Sequence, residues 1–199
     1  MEEIRDIDFV GIMRCLLSKA DNSIVSSVIQ KLNWNIGDFN FLFSNIESRK
    51  DIVYLIVLSD WIVESCDYIY KLYKKYANNF VYSREDEYEE FNKKFKAIRS
   101  FIVAHPLSTD RHPKSGYDGK KKCIDIKSSL SNMDEIFHDY DRPDADFYLC
   151  YYEDDAGCAY KNEGHDYSEM YFVVYYNVER MMEFVKYLSK IRKKDLSNY

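Results

Sequence analysis

The sequence predicts a mainly α-helical bundle with a small β-hairpin insert between the last two long helices. Three observations carry this. Apolar residues recur in steps of three and four over several long stretches. Gly (6) and Pro (3) are scarce in 199 residues, about a third of ordinary usage and too few for a turn-dense β-sandwich. One stretch alone, between residues 107 and 170, changes to turn residues and strand-like composition.

The elements follow in order. Ile4 to Lys19 reads as a first amphipathic helix. Ser23 to Leu32 reads as a short second helix, with Asn22 or Ser23 as its cap. The aromatic, Asn-rich stretch Asn33 to Asn45 reads as a packed connection. From Arg49 to Tyr76, the residues Ile52, Leu55, Ser59, Ile62, Cys66, Ile69 and Tyr73 form one stripe. Ser48 is the expected cap there, and Lys71, Lys74 and Lys75 complement the dipole at the far end. A further long helix is expected from Arg84 to His105, with Ser83 and Asp86 as a capping box. Glu85, Asp86 and Glu87 lie in its first turn, and Tyr88, Phe91, Phe95, Ile98 and Ile102 make its stripe. Pro106 disfavours helical geometry at His105 and ends it. Cys123 to Lys127 and Phe147 to Glu153 have strand-like composition. Asp154 to Asp166 reads as an acidic loop. Tyr171 to Lys194 closes the chain as a helix, with Val174, Val178, Met181, Val185 and Leu188 inward. The helices flanking the insert need each other to bury their stripes, so residues 1–199 are expected to form one domain, with 107–170 inserted in it.

Charge and composition exclude several functions. The 28 Lys+Arg against 34 Asp+Glu leave a net charge of −6, so indiscriminate polyanion binding is not expected, and a nucleic-acid role needs a local basic patch. The apolar content is too high for a disordered chain. MEEIRDID has neither the basic nor the apolar region of a signal peptide. The run Ile52 to Val63 is too short and too interrupted to span a bilayer. The five cysteines are widely spaced with no CxxC pair, which fits a reducing, cytoplasmic setting. No phosphate-cradling Gly loop, GxSxG elbow, EF-hand spacing or zinc ligand set occurs, so neither cofactor nor metal is expected.

Chemistry is concentrated between residues 99 and 113, where two of the four histidines stand with Arg99, Arg111 and Asp110. On an ideal helix, Arg99 and His105 lie about 9 Å apart along the axis and roughly 120° apart around it. They would flank the Phe95/Ile98/Ile102 stripe. Arg binds phosphate oxygens with a planar fork, and His exchanges a proton near neutral pH. Together they suit RNA cleavage without a metal: the imidazole activates a ribose 2′-OH and the guanidinium stabilises charge on phosphorus. Arg and His at this spacing are common by chance, so the weight falls on their place at the end of a long helix before Pro106. Downstream, Lys114, Lys120, Lys121 and Lys122 with Tyr117 make the best basic patch. Cations interleaved with an aromatic suit a single strand with stackable bases. A solvated loop is the alternative.

The stretch Arg99 to His105, at the end of an internal helix of a helical protein, resembles the signature of HEPN domains: an arginine, usually a polar residue, a few more, then histidine. That resemblance implies a helical bundle dimerising through the motif-bearing helices, and for many members a metal-independent endoribonuclease of toxin–antitoxin, abortive-infection or RNA-processing systems. It gives Arg99 and His105 the catalytic roles. Ser100 takes the polar position, where Asn, Asp or His is more usual, and Asp110, Arg111 and His112 are candidate supporting groups. The implied partners are a second copy of the chain, RNA or a nucleotide, and an antitoxin-type protein; no membrane is implied. The alternative is a catalytically inactive HEPN-like regulator that binds nucleotide, RNA or protein through the same cleft.

Overall fold

The computed structural model describes residues 2–8, 11, 22–105, 107–128, 142, 144–153 and 159–196. The protein is mainly helical with a small antiparallel sheet. Helices α1 (Asn22–Phe43), α2 (Arg49–Tyr73), α3 (Glu85–Arg99) and α4 (Tyr167–Leu196) carry the apolar stripes. Strands β1 (Lys121–Ser128), β2 (Phe147–Glu153) and β3 (Ala159–His165) lie between α3 and α4. None of the described helices is long and apolar enough to cross a membrane. The chain divides into two compact units: Met1–Phe41, Leu58–Tyr88 and Val173–Tyr199 form one, and Leu42–Val57 with Glu89–Phe172 forms the other.

The first unit is helical. Val25, Ile29, Leu32, Ile36 and Phe39 of α1 are fully buried, in steps of four and three. The stripe of α2 continues through Leu58, Ile62, Cys66 and Ile69, and that of α4 through Val174, Val178, Met181 and Phe184. Burial pushes the Cys66 thiol up, so it stays an unreactive core group. Phe184 packs against Tyr70 and Phe80 with ring centres 4.8 and 5.2 Å apart. The Arg180 guanidinium lies over the rings of Tyr70 and Tyr88, at 4.0 and 4.3 Å, and also bonds the Tyr88 hydroxyl at 3.1 Å and Glu85 at 3.3 Å. The two rings and Glu85 offset the charge of a cation held in a mostly apolar bundle.

Two sequence expectations fail in this unit. Residues 2–8 are not helical, so the first expected helix does not start at Ile4; Gly11 within it is helical, and residues 9–10 and 12–21 lie outside the described residues. The stretch from Asn33 is no connection: α1 continues to Phe43. One arrangement accounts for both. Asn33 and Asn40 send their amides to the backbone of Ile7 and Ile4. Asparagine weakens helices when its side chain competes for the local backbone; here both amides are engaged elsewhere and α1 runs through them.

The second unit holds the sheet, with order β1-β2-β3 and antiparallel pairing throughout. Residues Phe147 to Tyr151 of the central strand are all buried. A strand covered on both faces reads as a continuous apolar run rather than an alternation. An irregularity between Cys123 and Asp125 shifts the β1 register by one residue. Where the sequence predicts a hairpin, the described residues form three paired strands, and most of the expected acidic loop is strand β3. The polar sequence AYKNEGH hid it, because pairing with β2 rather than propensity makes it a strand. Its Gly164 is required by a close approach: a Cβ there would stand 2.7 Å from Ala145 Cβ and 2.9 Å from Arg142 Cβ. Residues 129–141, 143 and 154–158, which hold most of the acidic run Asp134 to Asp155, lie outside the described residues.

Helix ends position the rest. At the start of α2 the Asp51 carboxylate accepts both the Ser48 N–H and the Ser48 hydroxyl at 2.8 Å, one arm of a capping box. The Ser83 hydroxyl, expected to serve a capping box with Asp86, donates to Glu183 at 3.3 Å. Helix α4 starts four residues before the expected Tyr171, because the Asp146 carboxylate accepts the Tyr167 N–H at 2.8 Å. A cap supplied from 21 residues upstream leaves no local signal.

Candidate functional site

The last helical turn of the candidate motif is not α-helical. α3 ends at Arg99, and Ser100–Ala104 form a π-helical turn closed by the His105 N–H on Ser100 O at 2.8 Å. Such turns are rare and collect at functional sites. The wider i→i+5 turn also rotates less per residue, so the 120° separation expected for Arg99 and His105 on an ideal helix does not apply. Both side chains are half-buried, and Ser100 and Phe101 are buried.

The loop then folds back onto this turn. The hydroxyls of buried Thr109 and Ser100 are 3.5 Å apart, and Thr109 Oγ1 accepts the Arg111 N–H at 3.3 Å. The Gly119 N–H donates to Thr109 O at 2.9 Å. His112 pairs with Tyr117 through backbone hydrogen bonds around a one-turn 3₁₀ helix, Pro113–Ser115, and left-handed Gly116 (φ +81°). Asp110, Arg111, Lys114 and Lys120 are exposed and His112 is half-buried. Burial lowers the His112 pKa, and the positive charges of Arg111 and Lys96 lower it further. The end of α3 and the returning loop thus surround one imidazole with cations.

The expected basic patch divides. Lys122 bonds Gly119 O at 2.6 Å. Tyr117, expected to offer a face for base stacking, is 2% exposed and packs on Phe101 with ring centres 4.8 Å apart. Lys121, expected to meet RNA, donates to Glu163 at 2.7 Å and lies over the rings of Tyr117 and Tyr151 at 5.0 and 4.5 Å.

These last two residues belong to a cluster that sequence reasoning missed. Glu163 and His165 lie two apart on β3, and Glu169 follows on the first turn of α4. His165 Nδ1 is 3.1 Å from Glu169 Oε2, and Nε2 is 3.4 Å from Glu163 Oε1, an ionic contact rather than an aligned hydrogen bond. The imidazole stacks on Phe147, with centres 5.4 Å apart. Burial opposes the charged imidazole, but the two carboxylates outweigh it and raise its pKa to about 9. Burial likewise opposes the Glu163 carboxylate, and His165 and Lys121 hold it at about 2. Burial pushes the Tyr117 phenol up, and Glu163 adds to that. The available signal was the pair Glu163/His165 at strand period two, legible only once β3 is known to be a strand.

Neither a protein-family model, nor a curated protein, nor a solved structure matches this chain.

Proposed function

We propose that the end of α3 is a metal-independent endoribonuclease site of the HEPN kind, with Arg99 and His105 of two subunits lining one cleft. The observation that carries this reading is the π-helical turn between the two residues, onto which the loop returns through Thr109 with Arg111 and His112. In the proposed step, neutral His105 takes the ribose 2′-OH proton. The 2′-oxygen then attacks phosphorus and the bond to the 5′-oxygen breaks. Arg99 stabilises the charge on the phosphoryl oxygens, and the departing 5′-oxygen takes a proton from an imidazolium. The products carry a 2′,3′-cyclic phosphate and a 5′-hydroxyl. Exposed Arg111, Lys114 and Lys120 would hold neighbouring phosphates.

The internal use of Tyr117 and Lys121 favours a second reading, a non-catalytic HEPN-like regulator that binds nucleotide, RNA or protein at the same turn. Purified protein and its His105→Ala and Arg99→Ala variants, incubated with a mixed RNA pool, separate the two. The endoribonuclease reading expects chelator-insensitive cleavage that falls about 10²–10⁴-fold in His105→Ala. Cleavage indifferent to both substitutions removes it. No cleavage, with salt-sensitive RNA binding that Arg111→Ala weakens, supports the regulator.

A further inference from the structure

The loop that returns to the π-helical turn is closed twice. At its neck the Gly119 N–H donates to Thr109 O at 2.9 Å. Inside it, His112 and Tyr117 exchange backbone hydrogen bonds at 3.2 and 3.1 Å. A loop closed on itself still has to be docked. Two buried side chains do this, and they meet consecutive residues of the turn. The Thr109 hydroxyl lies 3.5 Å from that of Ser100, and the Tyr117 ring centre lies 4.8 Å from that of Phe101. From 110 to 118, Tyr117 is the one buried residue.

The two contacts are unequal. A hydroxyl pair at 3.5 Å is well beyond the ordinary O–H···O distance of about 2.8 Å and holds weakly. The tyrosine ring is also held by the sheet. The Lys121 ammonium lies 5.0 Å from its centre, and Glu163 fixes that ammonium at 2.7 Å. The Lys121 side chain is 13% exposed. A cation so shielded from water gains most from an aromatic face. His165, itself held by Glu169, stands on the other side of the Glu163 carboxylate. The Tyr117 hydroxyl, 3.5 Å from Glu163, adds little. A chain of contacts therefore runs from α4 and β3 through Lys121 and the Tyr117 ring to Phe101 in the π-helical turn.

We infer that Tyr117 is a positioning residue for the site at the end of α3. Its ring, held by Lys121 and Glu163, presses on Phe101, keeps the π-helical turn closed and fixes Arg111 and His112 beside it. That a catalytic pair is what it positions rests on the ribonuclease reading above. The sheet is then the template of the site. Displacing reacting groups by about 1 Å costs on the order of 10²-fold in rate, even when the altered residue lies away from the chemistry.

Three variants of the full chain test this: Tyr117→Leu, Lys121→Met and Tyr117→Phe. Amide hydrogen exchange at His105 reads the bond that closes the turn, and buried Leu149 of the central strand is the control. An NMR titration reads the His112 pKa, and an RNA pool reads cleavage. In Tyr117→Leu, His105 exchange should quicken about tenfold or more while Leu149 changes less than about threefold. The His112 pKa should rise toward its ordinary value, because burial and the cations that lower it are both lost. Cleavage should fall in kcat by about tenfold or more. Lys121→Met keeps the ring and should quicken His105 exchange about threefold. Tyr117→Phe loses only the distant hydroxyl and should restore every readout to within about twofold.

His105 exchange that stays unchanged in Tyr117→Leu and Lys121→Met overturns the inference. So does exchange that quickens no more than at Leu149, since Tyr117 would then be core packing alone. Failure of Tyr117→Phe to restore the readouts overturns it too, because the hydroxyl would be the holding group. If Tyr117→Leu does not fold, Lys121→Met decides by the same measure. An unaltered chain that leaves RNA intact counts against the ribonuclease reading, and the exchange and titration then decide this one without it.

Discussion

His112 and His165 are both shielded from water, yet the protein drives their protonation in opposite directions. Burial penalises the imidazolium at each site. Around His112 the neighbours are Arg111 and Lys96, which add to that penalty and lower the pKa. Around His165 they are Glu163 and Glu169, which overcome it and raise the pKa to about 9. At His112 burial is the larger cause and the cations act in the same direction; at His165 the sign of the surrounding charge reverses what burial alone would do. At pH 7 the loop therefore offers a neutral imidazole among cations, able to take a proton beside an anion. The sheet holds a cation locked between two carboxylates. The first arrangement stands beside the proposed site, and the second ties β3 to the start of α4.

The largest expected effect follows from breaking the second. His165→Leu leaves the half-buried carboxylates of Glu163 and Glu169 with one cation, Lys121, still on Glu163. Removing one partner of a fully buried ionic cluster costs about 3–5 kcal/mol; with the two carboxylates partly solvated, urea unfolding should show a loss below that range but above about 1 kcal/mol. His112→Leu at pH 7 removes a neutral, half-buried ring and should cost less than about 1 kcal/mol. Equal losses in the two variants would erase the distinction between a structural and a chemical histidine.

The pH dependence of stability is the next largest. The folded pKa of His165 lies above its unfolded value, near 6.5. Its contribution is complete below pH 6.5 and is lost as pH rises through 9. Glu163 is held below its ordinary 4.5, so its contribution is complete above pH 4.5 and is lost as pH falls through about 2. The two shifts describe one coupled cluster and are not additive. His112 acts with the opposite sign to His165: its lowered pKa makes folding less favourable as pH falls below 6.5. Unfolding free energy measured from pH 4 to 10 should fall above pH 6.5, by at most about 1.4 kcal/mol per pH unit for one proton. In His165→Leu that alkaline decline should disappear. Its persistence would assign the decline to other groups.

These contrasts show what could be read from the chain and what could not. The stripes of α2, α3 and α4 were legible because helix period and burial coincide at Ile52, Ile62, Phe95, Ile98 and Val174. Arg99 and His105 were legible as a chemical pair at a helix end, but the π-helical turn between them was not. The turn is closed by the His105 N–H on Ser100 O, and the hydroxyl contact of Ser100 is with Thr109, nine residues on; the sequence SFIVA signals neither. Strand β3, the early start of α4 and the long run of α1 share one cause. Each is settled by a distant partner, namely β2, Asp146 and residues 4–7. The internal contacts of Lys121 and Tyr117 were hidden for the same reason, since Glu163, which engages both, lies 42 and 46 residues further on.

The smallest prediction is the sharpest test of the comparison. If Arg111 and Lys96 set the His112 pKa through their charge, neutralising one should raise it while leaving the fold intact. Arg111 is exposed, and its backbone N–H, not its side chain, makes the bond to Thr109. Arg111→Gln should therefore keep the loop in place and raise the His112 pKa, read from imidazole chemical shifts in an NMR titration. The shift should shrink in high salt, because the exposed charge is screened within about 10 Å at 0.1 M. His165 in the same titration is an internal control and should not move. A His112 pKa unchanged by Arg111→Gln would mean that burial alone holds it down. The end of α3 would then lose the positive field on which the proposed phosphate site relies.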